Sequence, residues 1–148
     1  MKKRIVVRKR AGFAWQVPFS RRELENILGV MRSACGLDEV PLDVTLADDA
    51  FISEANAVYL SCPGPTNILS FPPYGGVGPG LGTAPGTGIM LLSLDAVNRE
   101  SLLYGQDPGE HTLRLLAHGM AHLTGLDHSP EMDALEEEIL AAAEEFAG

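Results

Sequence analysis

Residues 107 to 128, DPGEHTLRLLAHGMAHLTGLDH, hold all four histidines in the chain, three of them within residues 118 to 128, and decide how the rest is read. Asp107, Pro108 and Glu110 mark a helix start: a capping side chain, a first-turn proline and an acid three residues on. Leu113, Leu116, Ala117, Met120 and Leu123 then recur at helical spacing, a face to pack on a sheet. His118 and His122 are four apart, so on that helix they stack on one side and can grip one ion together. Gly125 can turn left-handed and stop the helix, and Leu126 and Asp127 lead back to His128, a candidate third ligand.

A lone histidine on an apolar helix is more often a packed core residue than a ligand. Three imidazoles at i, i+4 and i+10, with a glycine where the chain reverses, point instead to a metal. Nitrogen-only ligation by His118, His122 and His128 suits one zinc ion per chain, although imidazole accepts other divalent metals as well. A fourth position left to water is the mark of a catalytic site, and a metal there lowers the pKa of water toward ~7. Hydrolysis is therefore the expected reaction class. The spacing H-x-x-x-H-x-x-G-x-x-H is also that of the metzincin peptidases, whose first histidine precedes a glutamate base. That position is Gly119 here, which leaves peptide hydrolysis as the weaker alternative.

A chain of 148 residues suits one compact domain, and a single domain over residues 1–148 is expected. Cys35 and Cys62 have neither a zinc-ribbon spacing nor a disulfide framework, which fits a reducing compartment. The basic start MKKRIVVRKR is followed by no apolar h-region, and no apolar run reaches membrane-spanning length. A cytoplasmic protein without a membrane partner is the expectation. The net charge of −9 argues against a polyanionic partner, but its distribution is uneven. Residues 1 to 32 carry nine Lys or Arg against two acids, the remainder two against eighteen. The basic end is either a phosphate contact or a solvated face.

Outward from the histidine stretch, residues 3 to 9 read as a strand. Ser20 with Glu23 forms a capping box for a helix with Leu24, Ile27, Leu28 and Met31 on one face. Val40 to Ala47 alternates as a strand, with Pro41 hinting at a sheet edge. Asp48 or Asp49 caps a helix carrying Ile52, Ala55, Val58 and Tyr59. TNILSFPP, residues 66 to 73, is a short strand closed by two prolines. Residues 72 to 88, with seven glycines and four prolines, read as a long flexible loop. Ile89 to Leu94 suits a central strand covered on both faces. Ser93 opens a helix through Leu94, Val97, Leu102 and Tyr104 to Gly105, and Ser129 and Pro130 open the last one, with Leu135, Ile139, Leu140 and Ala143 buried. The order βαβαββααα implies an α+β or layered α/β fold, with helices on a small mixed sheet of about four strands. His111 is expected at the surface, and Glu136 to Glu138 on a solvated face.

HGMAHLTGLDH, followed by Met132, Glu136, Ile139 and Leu140, resembles the C-terminal signature of the YbeY family, bacterial metal-dependent endoribonucleases of ribosomal RNA maturation. TNILSFP, residues 66 to 72, resembles the family motif T-D-V-L-S-F-P. The resemblance spans about Asp38 to Leu140. It implies a small mixed sheet flanked by helices, with a metal cleft formed by a helix and its following turn. It implies His118, His122 and His128 as zinc ligands, and an activity cutting single-stranded RNA in ribosome biogenesis, with ribosomal RNA or a ribosomal subunit as partner. The chain departs from the pattern at three places. Leu60 stands where the family carries an arginine, Asn67 replaces the aspartate of T-D-V-L-S-F-P, and Gly88 replaces the aspartate of a Gly-Asp-Ile motif. A metal-containing RNA- or ribosome-associated factor with weakened catalysis is therefore a second reading. Asp127 is a candidate to orient a ligand imidazole, or else caps its turn. Asn67 and Ser70 are candidates to line the cleft and bind substrate.

Overall fold

The computed structural model describes residues 3–10, 18–60, 66–73 and 86–147. Its elements are β1 (Ile5–Lys9), α1 (Arg21–Ala34), β2 (Leu42–Ala47), α2 (Asp49–Leu60), β3 (Ile68–Phe71), β4 (Gly88–Ser93), α3 (Leu94–Tyr104), α4 (Pro108–Leu123) and α5 (Pro130–Ala147). This is the order read from the sequence. Helix starts are set by local capping. Ser20 Oγ accepts from the Glu23 amide at 3.1 Å while Glu23 Oε1 accepts from the Ser20 amide at 2.8 Å. Asp107 and Ser129 cap α4 and α5 in the same way, each accepting from the amide three residues on at 3.1 Å.

Asp48, not Asp49, caps α2, accepting from the Phe51 amide at 2.8 Å. Asp49 turns instead to the start of α3, where Ser93 Oγ donates to it at 2.8 Å and Arg99 at 2.9 Å. Burial alone would raise the Asp49 pKa, but these two donors hold it below the usual value.

The four strands form one mixed sheet in the order β1-β2-β4-β3, parallel except for β3, which runs antiparallel to β4. Five helices flank it, and the fold is α+β. Leu42, Val44, Leu46, Met90 and Leu92 face a core built with α1, α4 and α5. Ile89 and Leu91, on the opposite face of β4, pack with Leu69, Phe71 and Ile52 beneath α2. The continuous apolar run of β4 is thus explained by burial on both faces.

Several expectations need correction. β2 lies inside the sheet, not at its edge. Pro41 precedes the first ladder residue, so its missing N–H costs no strand bond, and its carbonyl accepts from Gly88 at 2.8 Å. The strand opening the chain begins at Ile5 and β2 begins at Leu42. Val58 is 64% exposed because it sits off the α2 face set by Ile52, Ala55 and Tyr59. On α3, Leu94, Val97 and Ser101 make the buried stripe, leaving Leu102 at 84% and Tyr104 exposed. On α5 it is Met132, Ile139 and Ala143 that are fully buried, with Leu135 and Leu140 partly so. Of the Gly- and Pro-rich segment, residues 74 to 85 fall outside the described residues. No helix among the described residues is long and apolar enough to cross a membrane.

Candidate metal centre

The face of α4 carrying Leu113, Leu116, Ala117, Met120 and Leu123 is buried against the sheet, which turns His118 and His122 toward β3. Thr124 ends the helix, its hydroxyl donating to the Ala121 carbonyl at 2.6 Å. Gly125 follows at φ 88°, the left-handed conformation a side chain disfavours, and the chain swings His128 back over the helix end.

The three rings gather at one place. Ring centres lie 4.7 Å apart for His118 and His122, 5.2 Å for His122 and His128, and 5.8 Å for His118 and His128. Imidazoles bound ~2.0 to 2.1 Å from one tetrahedral ion have ligating nitrogens roughly 3.3 Å apart and ring centres roughly 5.2 Å apart. The Nε2 atoms of His118 and His122 are 3.2 Å apart. The donor set therefore fits a divalent ion that prefers nitrogen ligands. The rings are gathered rather than closed: among the described residues no group of three or more His, Cys, Asp or Glu side chains is placed to hold an ion without rearrangement. His128 lies on the exposed turn.

Glu136, on α5, places Oε1 3.2 Å from His118 Nδ1. It is half-buried, so it does not belong to the solvated face expected for Glu136 to Glu138; Glu137 and Glu138 do. A carboxylate accepts a hydrogen bond from Nδ1–H of His118, which leaves Nε2 with a free lone pair directed at the other two rings. Asp127 is exposed, forms no hydrogen bond among the described residues, and acts on His122 only as a charge. The His122 pKa lies below its ordinary value of 6.5, first through burial and then through repulsion from His118 and His128. It is kept as the neutral imidazole that a metal requires.

A cleft of about 250 Å³ opens beside His118 and His122, lined by Thr66, Asn67, Ile68, Leu69 and Ser70. The outer side of β3 has no partner strand among the described residues. Ser70 Oγ donates to the Gly119 carbonyl at 3.0 Å, tying β3 to α4. Asn67 Nδ2 donates to Glu100 at 3.3 Å and 3.5 Å. A larger groove, about 770 Å³, lies at the other end of α4 around Phe19, Asp107 and Glu144, but it contains no histidine.

Gly119 is tightly packed. A Cβ there would lie 2.7 Å from Ile68 Cδ1, 2.8 Å from Met90 Sδ and 2.9 Å from Ser70 Oγ. A side chain at the position after the first histidine, glutamate included, would have to displace these three side chains. Gly88 is likewise enclosed, with a Cβ meeting Leu123 at 3.2 Å and Leu42 at 3.3 Å. An acid missing at Gly88 is missing from an apolar contact, not from the cleft. The side chain of Leu60 lies outside the described residues.

His111 is not at the surface. It is 6% exposed, and its Nε2 meets Glu100 Oε1 at 2.8 Å. It lies seven residues before His118, on the same side of α4, and is buried because α3 packs over it. The contacts of Glu100 and Glu136 were not legible in the sequence, because each reaches a histidine of α4 from a different helix.

Fold and site together define a class: a compact α+β domain that gathers three imidazoles beside an edge strand. The model of the family Endoribonuclease YbeY matches residues 15–146. Endoribonuclease YbeY of Nitratidesulfovibrio vulgaris is 43% identical over 143 aligned residues, covering 88% of each chain. Its counterpart in Oleidesulfovibrio alaskensis is 41% identical, covering 94% of this chain and 92% of the other. The solution structure of TM1509 from Thermotoga maritima shares the fold, with a TM-score of 0.62 at 19% identity over 97% of this chain and 91% of that one. The chain belongs to the YbeY endoribonuclease family.

Proposed function

We propose that this chain is a zinc-dependent endoribonuclease that hydrolyses single-stranded RNA in ribosomal RNA maturation, in the cytoplasm. The observation that carries the reading is the convergence of His118, His122 and His128 to ring separations of 4.7 to 5.8 Å beside an open cleft. These three imidazoles would hold the ion, which supplies Lewis acidity toward a phosphoryl oxygen and a lowered pKa for water.

The chain's own residues do the rest. Glu136 holds the Nδ1 proton of His118 and so fixes the tautomer and the ring plane. Burial keeps His122 neutral. The outer side of β3, without a partner strand among the described residues and with Thr66, Asn67 and Ser70 near the histidines, offers polar contacts to an extended strand. Ser70 has committed its proton to Gly119, so toward the cleft it can only accept. The exposed cations of β1 lie at the sheet edge opposite β3 and Arg8 is paired with Asp43, so any phosphate contact of this basic strand would fall away from the bond to be cut. Family membership supports RNA as the substrate, and the closed position at Gly119 speaks against a peptidase base.

The test is cleavage of a single-stranded RNA oligonucleotide and of a peptide library by zinc-loaded protein beside His118→Ala. RNA is cut by the wild type alone and peptides by neither. Uncut RNA that still binds, with salt-dependent affinity, would establish the chain as an RNA-associated factor, the outcome favoured by Leu60 in place of an arginine.

A further inference from the structure

His111 stands out among the buried polar groups. Its Nε2 is used by Glu100 at 2.8 Å, while its Nδ1 is buried with no partner among the described residues. Burying an unpaired polar nitrogen is costly, so the arrangement calls for a return elsewhere. The same Glu100 oxygen receives Nδ2 of Asn67, and the Asn67 backbone is pinned by the Ser93 amide, which donates to its carbonyl at 2.9 Å. A chain of contacts thus runs from the interior of α4, through α3, to the residue at the head of β3 that lines the cleft.

This chain dictates which end of the Asn67 amide is available. A carboxylate only accepts, so the nitrogen must face Glu100 and the oxygen is left for the cleft. His111, donating through Nε2, holds the Glu100 carboxylate in place. Phosphate oxygens only accept and gain nothing from an amide oxygen. A strand of RNA offers donors on its sugar 2′-hydroxyls and its base edges, and the hydroxyl is present on every nucleotide.

We propose that His111 and Glu100 are positioning residues that orient Asn67 so that its amide oxygen accepts a hydrogen bond from a ribose 2′-hydroxyl of the bound strand. The inference rests on the RNA reading above. It makes Asn67 a residue that distinguishes RNA from DNA. It also explains how asparagine can stand where the family motif has aspartate: the acceptor is kept, and a second carboxylate against Glu100 is avoided.

The experiment is a 2′-deoxy scan. Zinc-loaded protein is given an RNA oligonucleotide and its singly 2′-deoxy-substituted versions. Equilibrium binding is read beside cleavage, so that a hydroxyl needed for bond breaking is not mistaken for one held by Asn67. One position should weaken wild-type binding roughly three- to tenfold, the value of one hydrogen bond. In Glu100→Leu the all-RNA strand should lose that factor and the deoxy substitution should cost nothing further. Glu100→Gln, whose amide oxygen can still receive both donors, should restore the wild-type profile. Zinc content and unfolding midpoint, measured on each variant, identify a folding defect. A Glu100→Leu protein that unfolds earlier yet keeps the deoxy profile would reduce the contact to a structural tie and overturn the proposal. So would sensitivity that follows removal of base amines instead of sugar hydroxyls. Wild-type protein that cuts RNA with no deoxy-sensitive position defeats this inference alone, whereas failure to bind or cut RNA at all defeats the RNA reading with it.

Discussion

Glu136 Oε1 lies 3.2 Å from Nδ1 of His118, joining two helices across eighteen residues of chain. Because it faces the nitrogen that does not point at the other imidazoles, its action is on the orientation of His118. Removing such a carboxylate typically lowers metal affinity by about 10- to 100-fold. Glu136→Ala should show that loss in a zinc competition titration, with little change in the unfolding of the metal-free protein, since both side chains are partly exposed. Unchanged zinc affinity would remove Glu136 from the site.

Gly119→Ala sets two effects against each other. Alanine gains about 0.8 to 1 kcal/mol of helix propensity over glycine. The added methyl, however, enters a space where Ile68, Met90 and Ser70 all lie under 3.0 Å, and overpacking of this kind costs about 1 to 3 kcal/mol. The variant should be less stable than wild type by roughly 1 kcal/mol in urea unfolding. A more stable variant would show that β3 and α4 separate easily, against the packing described.

The lowered pKa of His122 makes a signed prediction. Above its ordinary value of 6.5, folded and unfolded chains both hold it neutral and its contribution to stability is complete. As pH falls below that value the unfolded chain takes the proton first, so stability is lost until the folded pKa is passed. Metal-free wild type should therefore lose stability relative to His122→Gln between about pH 7 and pH 5. A difference that is flat or grows on acidification would contradict the neutral, buried imidazole.

Cys35 is predicted to be chemically quiet. Burial, the main cause, pushes its thiol up to about 11, from an ordinary 9.0. It should hold roughly 100-fold less thiolate near pH 8 than an ordinary cysteine. In a Cys62→Ser background, alkylation by iodoacetamide should be correspondingly slow, and reaction at the rate of a free thiol would refute the assignment.

What the sequence made legible was whatever is local. The cap at Ser20 with Glu23, the cap at Asp107 and the glycine stop at Gly125 each act within a few residues, and all three stand in the structure as read. What escaped depended on another element. Pro41 looked like an edge signal because nothing in its neighbourhood says that β4 would pair on the far side of β2. His111 looked exposed because α3 covers it, and Glu136 looked solvated because only the packing of α5 on α4 brings it to His118. Helical spacing does report the facing of His118 and His122, but not who joins them from another helix.

The central claim is that His118, His122 and His128 hold one divalent ion. Its most direct test is the metal content of purified protein after equilibration with zinc, for wild type and for each histidine changed to alanine. The account predicts one zinc per wild-type chain and a marked loss in all three variants, whereas a wild type without stoichiometric zinc, or variants that retain it, would contradict it.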